Sequence, residues 1–126
     1  MKLVDSCGWL EYLADTVNAD NFVDAINDFN NLIVPTICIT EVFKKVLKEK
    51  GENEALIIAA MMKQGKVVNL DDNIALMAAK YGVEFKLPLA DSIVYATGRK
   101  FQSEILTQDV DFINLPGVVF FNKKDR

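Results

Sequence analysis

Histidine is absent from this 126-residue chain, and its absence excludes several classes of enzyme. Ser-His-Asp triads, Cys-His pairs, histidine-based acid/base hydrolysis and histidine-containing zinc sites all require an imidazole. A hydrolase of this composition must therefore work through carboxylates. Carboxylates in turn favour a hard cation that prefers oxygen ligands.

Cysteine is scarce as well, because the chain contains only Cys7 and Cys38. Two cysteines cannot build a disulfide framework, and neither belongs to a Cys-x-x-Cys pair that would indicate zinc binding or redox chemistry. We predict that both side chains are small buried hydrophobes.

Long apolar runs and an excess of basic charge are also missing. The longest uninterrupted apolar stretch, residues 55–62, is far shorter than the roughly 20 residues needed to cross a bilayer. The first residues lack the apolar region of a signal peptide, so we predict a cytoplasmic protein without a membrane span. The net charge of −4 argues against a non-specific nucleic-acid binder, but it does not argue against a bound cation.

The residues that are present form a globular composition, with 51% hydrophobic and 25% charged residues. A chain of this length can bury one core, so we predict a single domain over residues 1–126. Short apolar segments without polar alternation predict strands at 2–4, 32–34, 66–70, 104–107 and 118–121. Helical patterns predict helices at 8–13, 19–30, 37–50, 52–64, 71–82 and 88–101, a loop at 108–116 with at most one helical turn, and a frayed tail at 122–126.

Buried strands that alternate with helices indicate a parallel sheet covered on both faces. We therefore predict an α/β fold, a three-layer α/β/α arrangement around a central parallel five-stranded sheet. In the helix at 37–50, one face is predicted to point inward (Ile39, Val42, Phe43, Val46 and Leu47), and the opposite face is charged (Glu41, Lys44, Lys45 and Lys48). The three lysines fit two interpretations, contact with RNA phosphates or a solvated helix face.

Acidic residues lie where a parallel sheet gathers its ligands. Asp5 ends the first predicted strand, Asp109 follows the fourth, and Glu41 and Asp91 lie in the first turns of helices that face the same edge. Each alone has a structural explanation as a helix cap, a dipole partner, a turn residue or a solvated glutamate. Together, carboxylates about 4 Å apart repel by roughly 4 kcal/mol at an effective dielectric of 20, so such a cluster favours a bound cation or proton.

Five sequence blocks resemble the PIN domain, and within it the VapC toxins of toxin–antitoxin pairs. They are LVDSCGWLEYL at 3–13, ITEV at 39–42, LPLADSIVYAT at 87–97, ILTQDVDF at 105–112 and LPGV at 115–118. The blocks span the whole chain in the family's order. The resemblance therefore implies a PIN-like fold.

The resemblance also implies the residues of a metal site. It assigns catalysis and metal binding to Asp5, Glu41, Asp91 and Asp109, with Asp111 as a further ligand and either Asp109 or Asp111 as the closer one. Ser6 and Thr107 would hydrogen-bond to these carboxylates and fix their orientation. The expected ion is Mg²⁺, with Mn²⁺ as the alternative.

The function that the resemblance implies is an endoribonuclease toxin of a VapBC-like pair. It would hydrolyse tRNA or another structured RNA with a metal-activated water, form a homodimer and be inhibited by a cognate antitoxin protein. The main alternative is a PIN-domain nuclease that acts on ribosomal precursor RNA or on DNA without an antitoxin, and another is a PIN scaffold without catalysis. A phosphate-accepting receiver domain fits poorly, because Asp5 has no adjacent acidic partner.

Two apolar features have more than one interpretation. Trp9 and Tyr12 fit core packing better than stacking on an unpaired base. The helix segment 56–62 is apolar around most of its circumference, which favours buried core but also fits a protein interface.

Overall fold

Five parallel strands form the centre of the protein in a computed structural model, which describes residues 1–125. The strands are β1 (Lys2–Val4), β2 (Leu32–Pro35), β3 (Lys66–Val68), β4 (Glu104–Thr107) and β5 (Val118–Phe120). Their order in the sheet is β3-β2-β1-β4-β5, and every neighbouring pair is parallel. The predicted α/β fold with a parallel five-stranded sheet is confirmed.

Six α-helices occur within residues 1–125 and connect these strands. They are α1 (Ser6–Leu13), α2 (Val23–Asn27), α3 (Thr36–Lys50), α4 (Glu52–Met62), α5 (Asp72–Phe85) and α6 (Leu89–Lys100). Short 3-10 turns lie at Ala19–Asn21, Phe29–Asn31 and Val110–Phe112. None of the helices in this part of the chain is long and apolar enough to span a membrane.

The sheet is buried on both faces, as its sequence predicts. Leu3 and Val4 are both fully buried, although neighbouring residues of a strand point to opposite faces. In the three central strands Leu3 pairs with Ile33 and Ile105, and these side chains are fully buried as well. Helices therefore cover both sides of the sheet.

Helix α1 starts directly at the end of β1 and packs tightly. The Asp5 side chain caps the helix by accepting a hydrogen bond from the Ser6 backbone N–H at 2.8 Å. Gly8 leaves room for its neighbours, because a Cβ there would lie 2.6 Å from Phe22 Cδ1 and 2.7 Å from Val4 Cγ1. The geometry at the start of α1 is thus fixed by both a cap and a close contact.

The predicted helix at 19–30 is wrong, because only the five residues of α2 are α-helical in this segment. Its apolar spacing is real, since Phe22, Ala25 and Ile26 are buried, but Phe29 is 42% exposed. Asparagine and aspartate are frequent in this segment, and their side chains compete for backbone hydrogen bonds and favour turns. The chain leaves the helical region at Asp28 (φ −90°, ψ 59°), and a 3-10 turn follows.

Several boundaries and burial predictions also need correction. Helix α5 continues past the predicted end at 82 to Phe85, and Lys86 ends it in a left-handed conformation (φ 56°). Pro88 caps α6 from outside instead of lying in its first turn. Leu47, which we predicted to point inward, is 42% exposed because it lies beyond the strip of α3 that contacts the core.

The apolar helix α4 is only partly buried. Ala55 and Met62 belong to the core, but Leu56 and Ile57 are 52% and 65% exposed. The prediction of buried core is therefore wrong for Leu56 and Ile57. By contrast, Trp9 is 1% exposed and belongs to the core, whereas Tyr12 is half-buried.

The predicted frayed tail at 122–126 is wrong at Lys124, whose backbone forms two hydrogen bonds with the Asn18 side chain. Arg126 lies outside the residues that the structure describes.

Candidate metal centre at the carboxyl edge of the sheet

The carboxyl ends of β1 and β4 bring acidic side chains to one edge of the sheet. These two strands are hydrogen-bonded neighbours, so Asp5 after β1 lies beside the end of β4 at Thr107. Asp109 follows two residues later, and Asp111 lies in the 3-10 turn Val110–Phe112. Asp91, in the first turn of α6, points to the same place.

Three of these carboxylates form a compact group. Asp91, Asp109 and Asp111 each offer a carboxylate oxygen, and the three oxygens lie within 4.8 Å of one another. Asp91 and Asp109 are half-buried and Asp111 is exposed, so the group opens to solvent on one side. The Asp109 Oδ1 atom also accepts a hydrogen bond from the Asp111 backbone N–H at 2.9 Å, which fixes the turn that joins them.

Asp5 lies next to this group in a more enclosed position, with 4% of its surface exposed. Its Oδ2 atom accepts a hydrogen bond from Thr107 Oγ1 at 2.9 Å and is 3.5 Å from Cys7 Sγ. Burial raises the pKa of Asp5 to about 6; the charge of Asp109 acts in the same direction, while the hydrogen bonds oppose it. The carboxyl group is thus held by hydrogen bonds, and within residues 1–125 it forms no salt bridge.

Asp91 is the most perturbed acid of the group. Its pKa is raised to about 8, first by burial and then by the negative charges of Asp109, Asp5 and Asp111. A carboxylate that stays protonated near neutral pH because it is partly buried beside three acidic neighbours marks a place where positive charge is favoured. The negative charge of Asp5 is thus close enough to contribute to the raised pKa of Asp91.

The donor set fits a hard divalent cation. Every available group is a carboxylate oxygen, the ligand that Mg²⁺ prefers and Mn²⁺ accepts. Cys7 does not offer a thiolate, because burial and the charge of Asp5 raise the pKa of its thiol to about 12. The side chains that would hold the ion are therefore Asp91, Asp109 and Asp111, with Asp5 beside them.

Glu41 lies apart from the group of three. Its Oε1 atom accepts a hydrogen bond from Ser6 Oγ at 2.5 Å, and the Ser6 backbone N–H is bonded to Asp5. Ser6 therefore connects the two acids, one through its hydroxyl and one through its backbone. Ser6 and Thr107, the two residues predicted to orient carboxylates, do form hydrogen bonds with Glu41 and Asp5, respectively.

The lysine face of α3 continues from Glu41 away from the acidic group. Lys44, Lys45 and Lys48 are exposed and line a surface depression together with Glu41 and Glu49. Lys45 pairs with Glu49 at 3.4 Å, a solvent-exposed pair of the kind that is worth at most about 1 kcal/mol. The other two lysines form no ion pair among the described residues.

Sequence reasoning missed the position of Cys7, which is half-buried rather than buried and lies 3.5 Å from both Asp5 Oδ2 and Thr107 Oγ1. Its place two residues after Asp5 in the first turn of a capped helix is the signal that could have identified it. The buried neighbour Cys38 fits the prediction of a small core residue. Sequence reasoning also missed Gln108 and Asn18, which are buried polar residues near the same edge.

Comparison with solved structures identifies the architecture. A toxin–antitoxin complex from Klebsiella pneumoniae contains a chain that is 24% identical, with a TM-score of 0.77 and coverage of 94% of this chain and 96% of that one. VapBC2 from Rickettsia felis, bound to a promoter DNA fragment, is 9% identical with a TM-score of 0.73 and coverage of 95% and 96%. VapC20 from Mycobacterium tuberculosis, a toxin that cleaves the sarcin-ricin loop, is 15% identical with a TM-score of 0.66 and coverage of 82% and 85%.

Comparison at the level of sequence gives a family for nearly the whole chain. No curated protein sequence matches it. The family model of the PIN domain, however, matches residues 2–118, a range that contains all five acidic residues of the site. The chain therefore belongs to the PIN domain family.

Proposed function

We propose that this PIN-domain protein is a metal-dependent endoribonuclease, the toxin of a VapBC-like toxin–antitoxin pair. The observation that carries the proposal is the convergence of Asp91, Asp109 and Asp111 beside Asp5, with the pKa of Asp91 raised to about 8. Such a cluster gains little as a structural element, because its members repel one another. A bound cation would offset this repulsion, and it could also help to cleave a substrate.

Each residue of the site has a distinct task in this proposal. Asp91, Asp109 and Asp111 hold the ion together with Asp5, and Thr107 keeps Asp5 in one orientation through its hydroxyl. A bound Mg²⁺ or Mn²⁺ would supply Lewis-acid polarisation of the scissile phosphate and a lowered pKa for the attacking water. Glu41 lies outside the group of three, where the hydrogen bond from Ser6 Oγ holds its carboxylate.

RNA is the substrate class that the neighbouring surface favours. Lys44 and Lys48 lie on the helix that begins beside the site, carry no ion-pair partner among the described residues, and fit the phosphate backbone. Lys45 can join them when its exposed pair with Glu49 opens. VapC20, a structural neighbour, is a toxin that cleaves the sarcin-ricin loop, which supports a nucleic-acid substrate of this kind. Hydrolysis by water should leave 5′-phosphate and 3′-hydroxyl ends.

An antitoxin segment is the partner that we propose for the groove between α1, α3 and α4. Its floor is apolar and its rim is charged (floor: Leu10, Leu13, Ala14, Val46 and Ile58; rim: Glu11, Lys45, Glu49, Lys50 and Glu54). Three of the five rim residues are acidic, so an amphipathic segment with basic residues at its edges is complementary. Two structural neighbours are toxin–antitoxin assemblies, which supports a partner of this kind.

A second copy of the chain is the partner that we propose for α5. Leu76, Ala79 and Val83 lie three and four residues apart on one exposed face, and Leu89 is a further exposed apolar residue at the start of α6. Leu76, Val83 and Leu89 are 67%, 83% and 79% exposed, which is costly for an apolar strip in a monomer. Val83→Glu should convert a homodimer into a monomer in light-scattering measurements, whereas Lys63→Glu, which changes an exposed lysine directly after α4, should leave it intact. A wild-type monomer contradicts the homodimer.

The experiment that tests the enzymatic activity is cleavage of total small RNA, including tRNA, by the purified protein with Mg²⁺ or Mn²⁺. EDTA should abolish cleavage, and Asp91→Asn should reduce it by roughly a hundredfold or more, because even groups that only orient metal ligands contribute about 10–100-fold. The matched control is Asp72→Asn, which changes an exposed aspartate in the first turn of α5 and should leave the rate unchanged.

The product ends and an alternative substrate complete this test. Mapped 5′-phosphate ends on the RNA fragments would support attack by water, whereas cyclic phosphates would contradict it. Absence of RNA cleavage with either metal, from a folded protein free of antitoxin, would refute the ribonuclease. Metal-dependent cleavage of DNA in the same preparation would then identify a PIN-domain nuclease with a different substrate.

A further inference from the structure

The chain segment after β5 returns to the acidic edge of the sheet. The Phe121 backbone N–H donates a hydrogen bond to the Thr107 carbonyl at 2.9 Å, which extends the pairing of β4 and β5. The Phe121 ring packs edge-on against Phe22, with the ring centroids 5.5 Å apart. Residues 121–124 thus run beside the strand end that carries the site.

Asn18 fixes the far end of this segment. Its Oδ1 atom accepts a hydrogen bond from the Lys124 backbone N–H at 2.8 Å, and its Nδ2 atom donates to the Lys124 carbonyl at 3.0 Å. We call this pair of bonds the Asn18 clasp. Asn18 is 2% exposed, so the clasp is formed by a buried amide with both of its polar atoms satisfied by a residue 106 positions away.

Hydrogen bonds also connect Asn18 to Glu11 in helix α1. Its backbone N–H donates to Thr16 Oγ1 at 3.1 Å, and Thr16 Oγ1 donates to Glu11 Oε2 at 2.5 Å. Partial burial of Glu11 opposes a lower pKa, but hydrogen bonding, first of all from Thr16, lowers it. This chain of bonds connects Asn18 to α1, the helix that starts directly after Asp5.

Thr107 is the residue through which the segment acts on the carboxylates. Its carbonyl accepts the bond from Phe121, its hydroxyl donates to Asp5 Oδ2 at 2.9 Å, and the same hydroxyl accepts from the Asp109 backbone N–H at 3.0 Å. A shift of the segment therefore moves the backbone of Thr107. Such a movement would misalign Asp5 and Asp109 together.

We propose that Asn18 is a positioning residue for the acidic site, acting through residues 121–124 and Thr107. The clasp involves Lys124, which lies beyond the range 2–118 that the PIN family model matches. The proposal rests on the proposed function for its activity measurement alone, because metal binding and backbone protection test it independently.

Two pairs of variants test the clasp. Asn18→Ala removes both bonds. Its matched control is Asn31→Ala, which removes an exposed asparagine whose side chain donates to Asp28, at 3.1 Å and 3.2 Å. Lys124→Pro removes the backbone donor, whereas Lys124→Ala keeps it, because the clasp uses only the backbone of Lys124. Asn18→Asp keeps the acceptor for the Lys124 N–H, so its defects should be smaller than those of Asn18→Ala.

Three readouts distinguish positioning from a general loss of stability. Asn18→Ala and Lys124→Pro should weaken Mn²⁺ binding by about tenfold in spin-resonance titrations, as expected when a group that orients ligands is lost. Both should speed hydrogen exchange at the Phe121 and Asp109 amides while β2 stays protected. In RNA cleavage, kcat should fall while KM stays unchanged; the two control variants should match the wild type in all three measurements.

Unchanged Mn²⁺ affinity and unchanged exchange in a folded Asn18→Ala protein would overturn the proposal. If Asn18→Ala does not fold, the comparison of Lys124→Pro with Lys124→Ala decides, and equal Mn²⁺ affinities in that pair would overturn it. If the wild type cuts no RNA, the proposed function fails, and Mn²⁺ binding and exchange still decide whether the clasp positions the acidic residues.

Discussion

Asp91→Asn tests the electrostatics of the acidic group in the metal-free protein. The pKa of Asp91 is raised from 3.8 to about 8, so between these pH values the folded protein holds a proton that the unfolded chain has released. Because the folded state then binds more protons than the unfolded state, stability falls as the pH rises through this window. Asp5 acts with the same sign, but only up to about pH 6.

The size of the effect follows from the same pKa. Full conversion would give roughly 6 kcal/mol, at about 1.4 kcal/mol for each tenfold change in proton affinity. Asp91 is only half-buried and solvent screens its neighbours, so we expect about 2 kcal/mol. Asparagine is a neutral isostere, so Asp91→Asn removes the cost of ionising this half-buried carboxyl group. The free energy of unfolding of the variant should therefore exceed that of the wild type by about 2 kcal/mol at pH 8.5. The two values should be most similar near pH 4.

Urea unfolding in EDTA at pH 4.5, 6 and 8.5 measures this difference. Wild-type stability should fall from pH 6 to 8.5, and that of Asp91→Asn should stay nearly constant over the same interval. Asp20→Asn, which changes an exposed aspartate elsewhere, is the control and should follow the wild type. A wild type that gains stability above pH 6, or an Asp91→Asn protein that is less stable at pH 8.5, would refute the reasoning.

Two other substitutions probe the surroundings of the site. Gly8→Ala should lower the free energy of unfolding by about 1–3 kcal/mol in thermal denaturation, because the new Cβ would lie 2.6 Å from Phe22 Cδ1; an unchanged stability would contradict the close packing. Thr107→Val should weaken Mn²⁺ binding about 10–100-fold in calorimetry, because Asp5 loses a donor. Thr97→Val, which removes a buried bond to the Ile93 carbonyl within α6, should leave that affinity unchanged.

The strands were predictable because their signal is local. Strands β1 and β4 have the predicted bounds, since each is a short apolar run that ends at polar residues. The segment 19–30 was not predictable from apolar spacing, because that spacing is satisfied by one short helix between two 3-10 turns. Its asparagine and aspartate side chains, rather than its hydrophobic ones, decide where helical hydrogen bonding stops.

The site was predictable in outline and not in detail. Parallel strands bring their carboxyl ends to one edge, which is why Asp5, Asp91 and Asp109 could be placed together from sequence. Glu41 lies outside the group of three carboxylates and is bonded to Ser6, a side-chain arrangement that the sequence pattern does not encode. The Asn18 clasp joins residues 106 positions apart, so the local hydrophobic pattern could not predict it.

The order of the strands also determines when a growing chain acquires its acidic centre. Strand β1 leaves the ribosome first, but it pairs with β4, and the bond between Thr107 and Asp5 spans 102 residues. Since folding during synthesis proceeds from the N-terminus, a nascent chain that has exposed Asp5, Glu41 and even Asp91 still lacks the turn that carries Asp109 and Asp111. Any nucleolytic activity would therefore begin only after almost all of the described residues have been made. A translating ribosome would not carry an active nuclease during most of that synthesis.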